Sequence, residues 1–353
     1  MDDGALLERL VRCYSPSGHE RRAVGAFVAA ARTLGYRTTV DGVGNGIARR
    51  GHGRPETMFL GHIDTVVGER PVRWSGGRLH GRGVVDAKGA LAAALLGGAD
   101  FSGPGTVTIV AAVGEETDSR GARRLLRGRR PDAVIAGEPS GWDGLTVGYK
   151  GDLRIARTFR GRRRHYSAPY PTAADRAVAW CAAVRAWAEA RTTESLFRSV
   201  TAKTITFETG PPGDAEVARA TIDLRLPPGL PVREALHALP GDSAESALEV
   251  EVSIDPCDTG SGNPVARALI AGIRAAGGRP TIYRKAGTSD LNLAVAAWGI
   301  PGAAYGPGDS RLDHTARERL DRRDLGRAAA VLRTAFAALS TRGITPPGSA
   351  AAP

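Results

Sequence analysis

Apolar and polar positions change their spacing twice along the chain, and the changes divide it into three stretches. Within the first 150 residues, apolar positions recur at helical spacing over Ala5–Tyr14 and Glu20–Leu34. Short continuous apolar runs over Thr57–Gly61, Thr106–Val113 and Asp132–Ala136 predict buried strands, and Ala87–Ala99 predicts a helix of small residues. Helices alternating with buried strands predict an α/β fold whose mostly parallel sheet is covered on both faces.

Beyond Tyr149-Lys150-Gly151 the pattern changes. Residues 152–160 read as a strand, 172–190 as a helix, 201–209 and 217–226 as strands, 231–240 as a helix and 248–254 as a strand. Strand–helix–strand–strand–helix–strand is the order of a small ferredoxin-like α+β sandwich. From Asn263 the first pattern resumes and runs to about Ala338. The expectation is a discontinuous larger domain, 1–150 and 259–345, with a smaller domain, 151–258, inserted into it. The Pro/Gly/Ala-rich residues 346–353 read as a disordered tail.

A length of 353 residues agrees with two domains, and the 42% apolar and 24% charged residues are those of an ordinary globular protein. No run approaches the ~18 apolar residues of a membrane span, and the acidic start Met1-Asp2-Asp3-Gly4 does not read as a signal peptide. A cytoplasmic protein that engages no membrane is expected. Cys13, Cys181 and Cys257 are odd in number and far apart, which fits neither a disulfide framework nor a thiolate metal site. The net charge of +11 is unevenly placed. Residues 151–258 carry 14 basic and 15 acidic side chains, leaving 34 basic and 22 acidic in the larger domain. No helix-turn-helix, zinc finger or aromatic-studded basic strand accompanies that charge, so nucleic acid is not expected as a partner. An acidic protein or small acidic substrate suits it.

Candidate chemistry gathers where predicted strands end. Gly61-His62-Ile63-Asp64-Thr65 places His62 and Asp64 on one side of an extended chain, as a metal ligand with its orienting carboxylate or as a buried histidine satisfied by an aspartate. In Gly83-Val84-Val85-Asp86-Ala87-Lys88-Gly89, Asp86 is either an N-cap or a ligand. Gly114-Glu115-Glu116-Thr117 sets two carboxylates side by side, where like charges repel. With Glu116 turned to a metal, Glu115 is free to act as general base. Gly137-Glu138-Pro139-Ser140 puts a further carboxylate at the carboxyl end of a strand, where open α/β sheets bind ligands. Far downstream, Gly306–Thr315 (GPGDSRLDHT) carries His314 in a glycine-rich loop. Mixed nitrogen and oxygen ligation is the pattern of catalytic rather than structural zinc sites.

Five such motifs in this order resemble the dinuclear-zinc aminoacylase and carboxypeptidase family, which includes succinyl-diaminopimelate desuccinylase, acetylornithine deacetylase and carboxypeptidase G. The resemblance spans essentially the whole chain. It implies that His62, Asp86 and Glu138 hold one zinc, and that Asp86 bridges to a second held with Glu116 and His314. Cobalt is expected to replace either ion. It further implies that Glu115 is the base, that Asp64 orients His62 and that the Asp86–Ala87 peptide is cis. The smaller domain becomes a lid and dimerisation module, so a homodimer is expected. Its His165, in Arg164-His165-Tyr166-Ser167-Ala168-Pro169, would serve as oxyanion donor to the partner subunit's site. This loop departs from the family's usual Gly-His-Ser-x-x-Pro. Arg225, in Asp223-Leu224-Arg225, would grip a substrate carboxylate, whereas the asparagine many relatives carry before that strand is replaced by Pro211-Pro212-Gly213-Asp214.

Three segments, Gly137–Lys150, Gly287–Asn292 and Tyr305–Thr315, lean toward the subgroup that releases lysine or ornithine from an acidic amino-group carrier protein of the LysW type. Thr288, Ser289, Asp290 and Asn292 would line the amino-acid side of the site, with Asp290 facing a side-chain ammonium. The alternative is a deacylase of free acetylornithine, acetyl-lysine or succinyl-diaminopimelate, and release of a related diamino acid is a further variant. A non-catalytic binding protein on this fold is disfavoured, because every ligand is present together with Glu115.

Overall fold

The computed structural model describes residues 2–165, 167, 169–210, 215–241 and 246–341. The expected tail at 346–353, Tyr166 and Ala168 of the His165 motif, and Pro211–Asp214 lie outside the described residues. Among those described, no helix is long and apolar enough to cross a membrane. The chain separates into two compact units. One takes in the chain up to Gly148, Thr259–Arg284 and the chain from Ser289 on, and the other takes in Tyr149–Asp258 and Lys285–Thr288.

The first unit is built on a sheet whose strands run, in spatial order, Arg37–Val40, Gly46–His52, Gly105–Ala112, Glu56–His62, Ala133–Gly137, Gly302–Ala304 and Gly144–Tyr149. Its middle is parallel. Glu56–His62 lies between Gly105–Ala112 and Ala133–Gly137 in parallel register, and Gly302–Ala304 extends the set. The outer strands, including Arg37–Val40 and Gly46–His52, pair antiparallel. Every residue of Gly105–Ala112 (GTVTIVAA) is buried, as expected of a strand covered on both faces. The helix Lys88–Gly98 (KGALAAALLGG) is buried all round, so its small side chains set how closely its neighbours approach. A Cβ on Gly97 would lie 2.7 Å from the Ala329 carbonyl oxygen, and its absence lets Arg322–Thr341 pack directly onto this helix. Pro264–Ala275 also packs against Arg322–Thr341. Asn263 caps its first turn by accepting from the N–H groups of Val265 and Ala266.

A small three-stranded sheet falls outside the sequence expectation. Arg78–His80 pairs with both Arg73–Ser75 and Arg319–Asp321, antiparallel, with Leu79 opposite Leu320. Strands of three residues are too short to show periodicity. Their pairing brings two distant loops together.

The second unit is a four-stranded antiparallel sheet ordered Thr201–Thr209, Ala215–Leu226, Gly151–Arg162, Ser246–Ile254. Helices Ala173–Glu189 and Val232–Ala238 complete the ferredoxin-like order read from the sequence. Leu153, Ile155, Phe159, Ile222 and Leu224 are buried with Trp180 and Val184 of the long helix. The edge strand Thr201–Thr209 leaves Ile205 and Phe207 exposed. All three cysteines are free and buried.

Candidate metal centre

Three parallel strands carry acidic or imidazole groups at or just beyond their carboxyl ends. His62 is the last residue of Glu56–His62, Glu115 and Glu116 follow Gly105–Ala112, and Glu138 follows Ala133–Gly137. Asp86 stands just before the buried helix Lys88–Gly98. That helix starts after Ala87 with no side-chain cap, so the Asp86 carboxylate is not spent on capping. Its Oδ1 lies 3.0 Å from His62 Nε2 and its Oδ2 3.1 Å from His314 Nε2, and His314 Nε2 is also 3.1 Å from Glu116 Oε1. The Asp86–Ala87 peptide is cis.

Among the described residues, two groups of three could hold a metal ion. They are His62, Asp86 and Glu138, and Asp86, Glu116 and His314, each with its donor atoms within 4.8 Å of one another. Asp86 is common to both. One imidazole and two carboxylates per group is a donor set that suits zinc and its neighbours rather than calcium or magnesium. The residues present therefore fit a pair of ions. Glu115 belongs to neither group.

Asp64 does more than the sequence suggests. It is fully buried. His62 Nδ1 faces its backbone carbonyl at 3.1 Å and its Oδ1 at 3.6 Å. The same carboxylate accepts the Glu115 N–H on Oδ1 and the Glu116 N–H on Oδ2, both at 3.1 Å, and takes the Ser17 hydroxyl at 2.6 Å. It thus fixes both the His62 ring and the backbone of the two glutamates. Lys88, in the same motif as Asp86, has no counterpart among the sequence-derived candidates. It is fully buried, its Nζ donates to the Cys13 carbonyl at 2.7 Å, and burial brings its pKa down to about 8.

Electrostatics mark the cluster as strained without a cation. Burial, reinforced by Glu138, Asp290 and Glu116 and opposed by His62, pushes the Glu115 carboxyl well above the usual range. Hydrogen bonds to His314 and His62 hold Asp86 well below it, although burial works the other way. His314 is pushed up to about 10 by Asp86 and then Glu116. His62 also rises well above its ordinary value, since Asp64 and Asp86 outweigh its burial. Asp290 is 3% exposed, its Oδ1 has no hydrogen-bond partner, and burial pushes it up to about 6 against the Ser119 hydroxyl.

Other predicted residues have different surroundings. Ser289 and Asn292 form a capping box at the start of the helix Asp290–Trp298. The Ser289 hydroxyl accepts from Leu291 N–H, and Asn292 Oδ1 accepts from Ser289 N–H. Thr288 is half-buried and belongs to the second unit. In that unit, Arg225 donates through Nε and Nη2 to Asp223, at 2.9 and 3.1 Å, and its Nη1 lies 3.1 Å from Asp152. His165 is exposed, and its Nδ1 receives the Ser167 hydroxyl at 2.7 Å and the Ser167 N–H at 3.3 Å, which leaves the ring proton on Nε2.

Residues 58–338 match the model of the peptidase family M20/M25/M40. The chain belongs to that family. It is 39% identical over 351 residues to the LysW-lysine hydrolase of Deinococcus radiodurans, covering 95% of this chain and 96% of the relative. It is 28% identical over 320 residues to the LysW-lysine/LysW-ornithine hydrolase of Sulfurisphaera tokodaii, covering 89% of each. Among solved structures, an M20 family metallo-carboxypeptidase from Sulfolobus solfataricus shares the fold with a TM-score of 0.77 at 16% identity, over 96% of this chain and all of that one.

Protons and metal ions compete for His62 and His314. Both rings bind protons more tightly than a free imidazole in the metal-free protein, so an entering ion displaces protons at neutral pH. Zn²⁺ or Co²⁺ affinity should therefore rise between pH 6 and pH 8, by about tenfold per pH unit for each proton released. Calorimetry in buffers of differing ionisation enthalpy checks this. Binding with no proton release and no pH dependence would contradict it.

Proposed function

We propose that this chain is a dinuclear-zinc hydrolase that cleaves the amide joining an amino acid to the C-terminal glutamate of an acidic amino-group carrier protein. Lysine, ornithine or a related amino acid is released. The observation that carries the hydrolytic reading is Glu115, a half-buried carboxylate beside both donor groups and part of neither. The likeness to the LysW-lysine hydrolase over nearly the whole chain supports the carrier as substrate.

Two Zn²⁺ ions, replaceable by Co²⁺, would be held by His62, Asp86 and Glu138 and by Asp86, Glu116 and His314, and when bound such a pair polarises a carbonyl and activates a water. Glu115 takes a proton from the water that attacks the amide carbon. As the carbon–nitrogen bond breaks, it returns that proton to the departing amine, so the products are a free carboxylate and a free amino acid. Asp64 keeps His62 and the Glu115–Glu116 backbone in place for this step. Asp290, with its unpartnered Oδ1, offers an acceptor for a side-chain ammonium. Thr288, Ser289 and Asn292 are the further contacts proposed for the released amino acid. Arg225 grips a substrate carboxylate, exchanging Asp223 or Asp152 for it. His165 donates its Nε2–H to the oxyanion in the site of a second copy. The exposed Ile205 and Phe207 on an edge strand support a homodimer through the smaller domain.

Glu115→Gln should retain two ions and the fold while kcat falls by orders of magnitude, since only the proton carrier is removed. Chelation should abolish wild-type activity, and Zn²⁺ or Co²⁺ should restore it. Loss of metal in Glu115→Gln would make that residue a ligand instead.

The carrier reading has its own signature. Arg123 and Arg124 are exposed on the helix Arg120–Leu126, with Arg127 at its end, on the unit that carries the positive charge. An acidic carrier steered by this field should lose kcat/KM steeply as salt rises and the Debye length shrinks from ~30 Å at 0.01 M to ~8 Å at 0.15 M. Free acetyl-lysine and succinyl-diaminopimelate should lose far less, and charge reversal at these arginines should spare them. Equal salt slopes, with the small substrates turned over as well as the carrier-linked amino acid, would assign a free-metabolite deacylase.

A further inference from the structure

Asp86 and His314 are 228 residues apart in the chain, yet their side chains meet at 3.1 Å. His314 has little of its own to hold it there. About half of its side chain is exposed (51%), and its φ of +59° places a non-glycine residue in the left-handed region. The segments on either side of the two residues are joined by a buried ion pair that belongs to neither donor group. Arg82 and Glu318 are 4% and 3% exposed, and Arg82 Nη1 donates to Glu318 Oε1.

The remaining contacts of this pair are all to backbone. Arg82 Nη1 also donates to the Thr315 carbonyl at 3.2 Å, one residue beyond His314, and Arg82 Nε donates to the Gly68 carbonyl at 3.1 Å. Glu318 Oε2 accepts the Gly83 N–H at 2.8 Å and the Val85 N–H at 3.4 Å, so it holds the loop leading into Asp86. That loop is tightly placed. Gly83 has φ +79°, and a Cβ on it would lie 2.5 Å from Thr65 Cγ2. Each side chain thus grips the segment that carries the other's functional neighbour. Arg82, on the Asp86 segment, reaches the His314 segment, and Glu318, on the His314 segment, reaches the Asp86 loop.

We propose that Arg82 and Glu318 are positioning residues for the second metal subsite, locking the Asp86 loop to the His314 loop and so setting the affinity of the Asp86–Glu116–His314 group. Burying an ion pair costs desolvation that apolar side chains of similar volume avoid, so stability alone is a weak reason to keep these charges. What charge supplies here is direction, with several charge-assisted hydrogen bonds aimed at chosen backbone groups. The first subsite has other support. His62 ends one parallel strand and Glu138 follows its neighbour, whose register pairs Gly61 with Gly137, so the sheet holds the residues beside them. Loosening the pair therefore reaches the second subsite first. This inference rests on the dinuclear reading above.

The test titrates metal-free wild type, Glu318→Gln and Arg82→Lys with Zn²⁺ by calorimetry, alongside thermal melts. Wild type should show two binding events. Glu318→Gln turns an amide N–H toward the guanidinium or gives up a backbone partner. It should raise the second dissociation constant by roughly 10–100-fold, the usual scale for losing an outer-shell partner of a metal ligand, and raise the first by much less, since Asp86 is shared but His62 is held by the sheet. Arg82→Lys keeps the charge but cannot serve Glu318, Thr315 and Gly68 together, and it should act in the same direction. A pair that is merely structural would lower the melting midpoint and leave the two affinities alone or weaken them equally, and either result overturns the proposal. Fewer than two ions on wild type overturns the dinuclear reading instead. Where Glu318→Gln does not fold, Arg82→Lys decides by the same criterion.

Discussion

One carboxylate, that of Asp86, is shared by two imidazoles, one on each of its oxygens, at 3.0 and 3.1 Å. Around it Asp64, Glu115, Glu116, Glu138 and Asp290 act on one another and on His62, in surroundings where burial alone drives carboxyl groups toward protonation. Like charges packed this way cost free energy unless cations stand among them. In the metal-free state the imidazoles provide positive charge by holding protons more tightly than usual. A pair of divalent ions would answer the same demand more completely, and their charges would oppose the burial that raises the Glu115 carboxyl.

The fold meets this constraint with two kinds of support. Parallel strands place His62, Glu138 and the Glu115–Glu116 pair, because side chains that follow neighbouring strands inherit the register of the sheet. Loops place Asp86 and His314, which need explicit fastening. The small sheet that pairs Arg78–His80 with Arg319–Asp321 draws their segments together, and the Arg82–Glu318 pair ties the last few residues. Asp64 bridges the two regimes, since one carboxylate holds a strand-end imidazole and the backbone of the next strand's glutamates. Asp64, Arg82 and Glu318 are satisfied largely by main-chain partners, which gives the site rigidity before any ion or substrate arrives.

Much of this is legible in the sequence. The parallel core was visible because Gly105–Ala112 and its neighbours are continuous apolar runs, and each acidic or imidazole motif stood directly after one. The succession of strands and helices in the smaller domain was legible in the sequence, and the order of strands in its sheet comes from the fold. Other features had no local signal. Strands of three residues carry no periodicity, so the sheet at Arg73–Ser75, Arg78–His80 and Arg319–Asp321 went unseen. Arg82 and Glu318 sit in ordinary charged contexts, Arg82 between glycines and Glu318 between arginines, and only the tertiary fold reveals that both are buried. Asp64 was read through its neighbour in sequence, although most of its hydrogen bonds go to residues about fifty positions away. Ser289 and Asn292 were assigned to substrate from family pattern. The Ser-x-x-Asn spacing that makes their capping box was equally present in the sequence, and it is the role the backbone demands first.

The central claim is that Asp86 bridges two ions. Anomalous X-ray scattering from crystals of the Zn²⁺-loaded protein, collected on either side of the zinc absorption edge, addresses it directly. Two peaks per chain, ~3.5–4 Å apart, are expected. One should be bounded by His62 and Glu138 and the other by Glu116 and His314, with one Asp86 oxygen on each. A single peak, or two peaks of which only one touches Asp86, would contradict it.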